Sequence, residues 1–380
     1  MKKTNRTTLL AILWLGLVGT VSGCAAYVTG VNEDRAADVG LGSVSRIRNM
    51  STGRAAHTAT LLPDGRVLVA GGFTGGNPFS SAEFFDPATE AFKAAGNMSV
   101  ARAGHTATLL SNGKVLIAGG YNGSYLASAE LYDPATNSFT PASAMTAARG
   151  GHVATLLQNG KVLLAGGVGV GWTFLASAEV YDPATNTFTP TGDMLAARES
   201  HTATLLPNGN VLIAGGHRGR RPSVTIYSST EIYDAASGRF TAAGDMTMVR
   251  HKHEAVSLAD GRVLILGGSD QRDGNPAYTS AEIYDPTRKT FTATASMNSQ
   301  RYKLNGTAVL LSDGRVLVAG GANRAEVFDP ARNTFAYAAG DLETPRLFAT
   351  ATRLRNDQVL IIGGYNENSN ATSNAWLYRS

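Results

Sequence analysis

The sequence predicts an all-β fold of seven four-stranded sheets packed radially. Three observations predict it: a Gly-Gly pair recurring seven times, a hairpin signal ahead of each pair, and two further β-favouring runs behind it. The pairs are Gly71-Gly72, Gly119-Gly120, Gly166-Gly167, Gly215-Gly216, Gly267-Gly268, Gly320-Gly321 and Gly363-Gly364, at spacings of 43–53 residues. Such a period belongs to stacked or radial repeats, each unit too small to bury its own apolar face.

The second copy shows each element in order. His105 to Leu110 and Val115 to Ala118 flank Ser111-Asn112-Gly113-Lys114, and two such runs joined through Asn-Gly predict a hairpin with a two-residue type I′ turn. Asp64-Gly65, Asn159-Gly160, Asn208-Gly209, Asp260-Gly261 and Asp313-Gly314 repeat the signal, with Asn356-Asp357 in the last copy. Ala129-Glu130-Leu131-Tyr132 is the third strand, closed by Asp133-Pro134 because proline has no ladder donor. A short fourth strand begins near Phe139 and ends before Met145. Four strands in sequence form a meander, and seven meanders packed radially form a seven-bladed β-propeller.

The last copy runs through strands one (Leu347 to Leu354), two (Val359 to Ile362) and three (Ala375 to Tyr378) without a fourth. Upstream, Met50 to Arg54 matches Met145 to Arg149, and Val44 precedes Met50 as Phe139 precedes Met145. Val44 to Ile47 is therefore expected to pair with the C-terminal strand, which removes an open edge.

These residues resemble the kelch family, whose repeats carry a strand ending in Gly-Gly, a spaced Tyr and an aromatic on strand four. The resemblance covers residues 44–380. Phe92, Phe139, Phe188, Phe240, Phe291 and Phe335 stand where that family often has Trp, a change of packing that leaves the fold expectation intact. Neither the Trp-Asp/Gly-His pairing of WD40 blades nor an Asp-box occurs.

The N-terminal segment reads differently. Lys2, Lys3 and Arg6 precede an apolar run from Leu9 to Val18, then Val21-Ser22-Gly23-Cys24. This is the pattern of a secretory signal, and the run is too short to span a membrane. Val-Ser-Gly-Cys is similar to a bacterial lipobox, which implies a signal at 1–23, acylation of Cys24, a lipidated tether at 24–43 and a place in the bacterial cell envelope. Ala25 after the cysteine favours the outer membrane if the source is Gram-negative. Three of the 33 basic residues lie in the signal, leaving 30 against 29 acidic ones. A near-neutral mature chain gives no support for nucleic acid as a partner. Cys24 is the only cysteine, so intrachain disulfides are excluded and stability must come from apolar packing. With 43% apolar residues and strands rich in Val, Leu, Ile and Ala, each sheet is expected to bury both faces.

Candidate chemistry must be separated from what every copy shares. Arg54, Arg102, Arg149, Arg198, Arg250, Arg301 and Arg346 occupy one position, and Glu83, Glu130, Glu179, Glu231, Glu282 and Glu326 another. They read as inter-strand or inter-blade pairs; an arginine-lined anion site is the alternative. His57, His105, His152, His201 and His253 share a third position, which favours a structural hydrogen bond. His251 and His253 with His217 could form a metal site, but adjacent cations argue against it.

The repeat breakers are the better guide to function. Strand direction alternates, so the loops between strands two and three share a face with the segments joining strand four to strand one. The longest loops there are Val168 to Ser177, His217 to Ser229 and Ser269 to Ser280. They supply the ligand-binding candidates Trp172, Phe174, His217, Arg218, Arg220, Arg221, Tyr227, Asp270, Arg272, Asp273 and Tyr278. Aromatic and charged groups on loops held by a rigid scaffold suit recognition of an envelope or extracellular protein or glycan; the alternative is that they pack on the rim. The expected function is a lipid-anchored binding module without catalytic residues, metal or cofactor. The family resemblance also admits a sugar mutarotase or epimerase, whereas a copper site of the galactose-oxidase kind needs a Cys beside a Tyr, and Cys24 lies at the processing site. A structural partner in an envelope complex would instead present an exposed apolar patch.

Overall fold

Alternating β-branched and aliphatic residues fold into seven four-stranded antiparallel sheets in the computed structural model, which describes residues 40–220, 222–271, 276–366 and 370–380. The signal, Cys24 and the tether up to residue 39 lie outside the described residues, as do Arg221, Arg272 and Asp273. Blade one is Thr58–Leu61, Val67–Ala70, Ala82–Asp86 and Ala91–Ala94. Blades two to six repeat that order from first strands Thr106–Leu109, Val153–Leu156, Thr202–Leu205, Glu254–Ser257 and Ala308–Leu310. Neighbouring first strands touch all the way round, so they line the axis.

Blade seven joins the two ends of the described chain. Thr350–Arg353, Val359–Ile362 and Ala375–Arg379 are completed by Ser43–Arg46, in a register that sets Val44 opposite Tyr378 and Arg46 opposite Trp376. The expected closing strand is therefore present, one residue earlier than its sequence signal.

The core is divided among the seven interfaces. Leu68, Ala70 and Phe84 of blade one pack on Val115, Ile117 and Tyr132 of blade two, and an equivalent cluster fills each junction, including Val67 and Phe85 against Leu360 and Leu377 where blade seven meets blade one. Second strands such as Val67–Ala70 are buried throughout because they have neighbours on both faces and both edges. The outer strands depart from the expectation that all four would be buried. Thr187–Pro190 and Thr290–Ala293 are largely exposed, their single Phe turned inward onto the strand-three Tyr. Blades splay outward, so the rim has no neighbour to cover it.

The hairpin turns also differ from the two-residue type I′ form. Gly65 N–H donates to Leu62 O at 2.9 Å and Leu62 N–H to Arg66 O at 2.8 Å, which defines a three-residue loop. Gly65 takes a positive φ of 89° while Asp64 does not; this is a type I turn followed by a left-handed bulge residue. The Asp64 carboxylate accepts the Arg66 N–H at 3.0 Å, so the Asp-Gly pair fits this turn equally well. In the last copy Asp357 occupies the bulge with φ 65°.

Three layers of contacts tie the blades together. In the first, Arg54 donates to Gly71 O at 2.8 Å and to Glu83 at 2.9 Å, while the other Glu83 oxygen accepts the Ser51 N–H at 2.8 Å. The pairs Arg102–Glu130, Arg149–Glu179, Arg198–Glu231, Arg250–Glu282 and Arg301–Glu326 repeat this ion pair with both side chains buried. These arginines are committed to carboxylates and carbonyls, which overturns the arginine-lined anion site for those six blades. In blade seven Trp376 replaces the glutamate, and its ring lies 5.0 Å from the Arg346 guanidinium.

The second layer links adjacent blades through the shared histidine. His57 Nε2 lies 3.1 Å from Thr350 Oγ1, His105 3.1 Å from Thr58, His152 3.0 Å from Thr106 and His253 3.1 Å from Thr202. The double glycine makes room for it: a Cβ on Gly71 would stand 2.7 Å from His105 Cε1, and one on Gly72 2.7 Å from Ala55 O. Blade six has no histidine here, and Glu254 at the threonine position of blade five instead accepts the Thr307 N–H at 2.9 Å.

The third layer is a closed ring of main-chain hydrogen bonds around the axis. Gly104 donates to Ala56, Gly151 to Gly104, Ser200 to Gly151, Lys252 to Ser200, Lys303 to Lys252, Phe348 to Lys303 and Ala56 to Phe348, at 3.0–3.3 Å. All seven residues have positive φ, a conformation that turns each N–H toward one neighbour and each C=O toward the other.

Candidate functional site

The loop face is where the blades stop being alike. Immediately after six of the seven Gly-Gly pairs, the chain forms a bridge to the residue following the shared arginine, pairing Ala55 with Phe73, Ala103 with Tyr121, Gly150 with Val168, Glu199 with His217, His251 with Ser269 and Leu347 with Tyr365. One side of the ring is thus apolar at this level, while blades four and five carry ionisable groups. His217 Nε2 lies 3.0 Å from Glu199 Oε1, both side chains buried. The His217 ring meets Phe174 at 5.8 Å and His251 at 4.8 Å, and His251 meets Tyr302 at 5.7 Å. His251 Nε2 is also 2.8 Å from Gln271 O, and burial holds its pKa well below the usual imidazole value.

Beyond Tyr302 the arc continues with cations. Lys252 Nζ donates to Tyr302 Oη at 3.2 Å and Lys303 Nζ to Tyr365 Oη. Lys303 lies 5.1–5.6 Å from the rings of Tyr302, Phe348 and Tyr365, within range for cation–π attraction.

A second group lies on blades three and four. Val170–Trp172 forms a short 3-10 turn, and blade four extends a hairpin, His217–Arg220 with Ser223–Ile226, beside it. The Arg220 guanidinium stacks 3.8 Å from the Trp172 ring, whose edge meets Tyr125 at 5.6 Å. Arg218 on the same hairpin is exposed. The exposed large hydrophobic residues among those described are Val170 (70%), Leu195 (64%), Met248 (37%) and Val249 (36%). All four belong to the loop face of blades three to five. Leu195 stands where other copies have Ser51, Ser99, Thr146, Thr247, Asn298 or Glu343; its N–H is held by Glu231 at 2.7 Å while its side chain faces solvent.

The structure thus joins Trp172 with Arg220, and Phe174 with His217. Tyr227 and Tyr278 are placed otherwise, their rings 4.8 Å and 5.5 Å from the buried Arg198 and Arg250 guanidiniums, the position Phe79 takes over Arg54. Burial, with the Asp270 carboxylate beside it, pushes Tyr278 up to about 12. His253 bonds Thr202 across the blade junction, whereas His251 and His217 face the loop side. Among the described residues no group of three or more His, Cys, Asp and Glu could hold a metal ion. Glu199, Tyr302, Val170 and Leu195 carry no signal within a single repeat, and only comparison of equivalent positions across copies singles them out.

Comparison with known proteins agrees with the architecture. The kelch motif matches residues 54–99, 102–146 and 149–195, which are blades one to three with their connecting segments. Kelch-like protein 36 of Mus musculus is 34% identical over 122 residues and that of Rattus norvegicus 33%. Each match covers 30% of this chain and 19% of the relative, so the similarity spans about a fifth of those proteins. A fungal alcohol oxidase of the AA5 family, solved in complex with copper, superposes with a TM-score of 0.72 at 20% identity, covering 89% of this chain and 76% of the other. That likeness concerns the fold. Seven equivalent repeats, three matched motifs and a closed ring of blades identify the chain as a kelch-repeat protein folded as a seven-bladed β-propeller.

Proposed function

We propose that this propeller is a non-catalytic interaction module that docks a protein partner on the loop face of blades three to five. The observation that carries this reading is the gathering of Val170, Leu195, Met248 and Val249 in one sector, next to the Trp172–Arg220 stack. Exposed apolar side chains beside aromatic and Arg groups make effective contact centres, because their burial releases water while Arg and Trp supply directional contacts. Trp172 already has Arg220 against its ring, which favours a polypeptide over a sugar stacked on that side. Photo-crosslinking in the producing cell tests it, with benzoylphenylalanine placed in the full chain at Val170 or, on the opposite face, at Ala135. A discrete protein adduct from position 170 and none from 135 is expected; equal adducts from both, or none from 170, would refute the docking face.

The module is further proposed to be held at a bacterial envelope membrane through acylated Cys24, on the strength of the Val21-Ser22-Gly23-Cys24 sequence and its preceding signal pattern. Diacylglycerol plus an N-acyl chain exceeds the marginal binding of a single chain. Cys24→Ser should abolish incorporation of labelled fatty acid and release the protein from membranes, whereas persistent labelling would contradict the anchor.

A further inference from the structure

Six of the seven described methionines belong to the repeat, and one does not. Met50, Met98, Met145, Met194, Met246 and Met297 are 3–4% exposed and fill the apolar clusters between blades. Met248 is 37% exposed and sits in the apolar sector of the loop face, next to exposed Val249. It stands two residues before the shared arginine, where the other copies have Thr52, Val100, Ala147, Ala196, Ser299 or Thr344. Its sulfur accepts the Ser280 hydroxyl at 3.4 Å in an exposed contact, while Ser280 Oγ accepts an N–H of Arg250 at 3.1 Å.

We propose that Met248 is a site of reversible oxidation that turns the docking sector from apolar to polar. The effect on docking rests on the reading of blades three to five as a docking face; the selectivity of the oxidation does not. Cys24 is the only cysteine, so the thioethers are the only sulfur groups of the propeller, and exposure separates Met248 from the other six. With hydrogen peroxide as oxidant, a sulfur lone pair attacks one peroxide oxygen. An S–O bond forms and the O–O bond breaks; the proton of the transferred oxygen passes to the departing hydroxide, which leaves as water. Sulfur loses two electrons and peroxide gains them, and sulfoxide reductases reverse the change. A thioether is a weak acceptor, so the Ser280 hydroxyl would hold the sulfoxide oxygen in its place. A partner covering Met248 would then have to strip water from that oxygen. The six buried methionines stay reduced, so the blades remain packed.

The full chain with benzoylphenylalanine at Val170, alone or combined with Met248→Leu, would be treated with hydrogen peroxide in the producing cell. Leucine keeps an apolar side chain of similar volume without the sulfur, and each chain is compared with its own untreated sample. Peptide mass spectrometry should find Met248 oxidised at least about tenfold faster than any of the six buried methionines, with the melting temperature unchanged. The protein adduct from position 170 should fall by about tenfold when Met248 is present, return once peroxide is removed and the sulfoxide reduced, and hold its untreated level in Met248→Leu. Oxidation of Met248 no faster than of the buried methionines, an undiminished adduct after oxidation, or an equal loss in Met248→Leu would overturn the proposal. Absence of an adduct before peroxide is added would refute the docking face itself and the switch with it, an outcome distinct from failure of the switch alone.

Discussion

A chain lacking everything through Ile47 should melt on the order of 10 °C lower than the intact protein and scatter light on standing. Removing Ser43–Arg46 strips the antiparallel pairing from Ala375–Arg379 and removes buried Val44 from its cluster with Trp376 and Tyr378. It also breaks Val44 N–H to Ala339 O at 2.8 Å and the Arg46–Glu343 ion pair at 2.6 Å. At about 1 kcal/mol for each main-chain hydrogen bond and about 2 kcal/mol for one buried Val, the loss is a large share of a marginal stability. The strand left behind would present Trp376, Leu377 and Tyr378 along an unpaired edge, a template for association. Differential scanning calorimetry with light scattering checks this, and unchanged melting would show that the blade closes without its N-terminal strand.

Acid should unfold the propeller over a narrow range below pH 6.5, with net uptake of several protons. Burial, followed by the charge of Arg54, Arg149 and Arg250 respectively, lowers His57, His152 and His253 to about 3, and His105, His201 and His251 are also held well below their usual value. Their folded pKa values lie below the unfolded value near 6.5, so the unfolded chain binds more protons between the two. Stability is complete above about 6.5 and is lost as pH falls toward 3. At pH 5 each such histidine costs roughly 2 kcal/mol, and six together rival the stability of a domain. Glu254 acts in the opposite sense. Burial raises it to about 7, above its unfolded value, so its contribution grows as pH falls from 7 toward 4.5 by at most about 3 kcal/mol. Denaturant midpoints measured across pH 4–8 should therefore fall steeply with acid, and Glu254→Gln should steepen the fall between 7 and 4.5. A flat profile would contradict the buried, neutral histidine layer.

The strands, the blade count and the closing strand were legible because each rests on patterns local in sequence: alternation, a double glycine and an offset to a methionine. The turn type was not, since Asp64-Gly65 is compatible with both a two-residue and a three-residue loop, and only the Gly65 N–H to Leu62 O bond distinguishes them. The Arg54–Glu83 type of pair could be anticipated from its recurrence. The His–Thr links across blades and the main-chain ring could not, because they depend on how one sheet sits against the next. Tyr227 and Tyr278 read as loop residues since loop lengths vary around them; in space they stack on Arg198 and Arg250. Conversely, Val170 and Leu195 are neither aromatic nor charged and carry no local mark of a binding residue, though Leu195 stands alone as an apolar residue in a column of polar ones.

On the proposed reading, repeated residues hold this molecule together and unrepeated ones on one face engage a partner; the two roles separate experimentally when one residue of each kind is changed. Crosslinking yield from benzoylphenylalanine at position 170 would be measured beside the melting temperature in Glu130→Gln and Trp172→Ala. Glu130→Gln leaves the buried Arg102 charge uncompensated, a loss of about 3–5 kcal/mol, and should lower melting while the folded fraction crosslinks as before. Half-buried Trp172 contributes to a surface stack, so Trp172→Ala should melt close to wild type and lose the adduct. Loss of the adduct in folded Glu130→Gln, or its persistence at full yield in Trp172→Ala, would contradict the division between lattice and loop face.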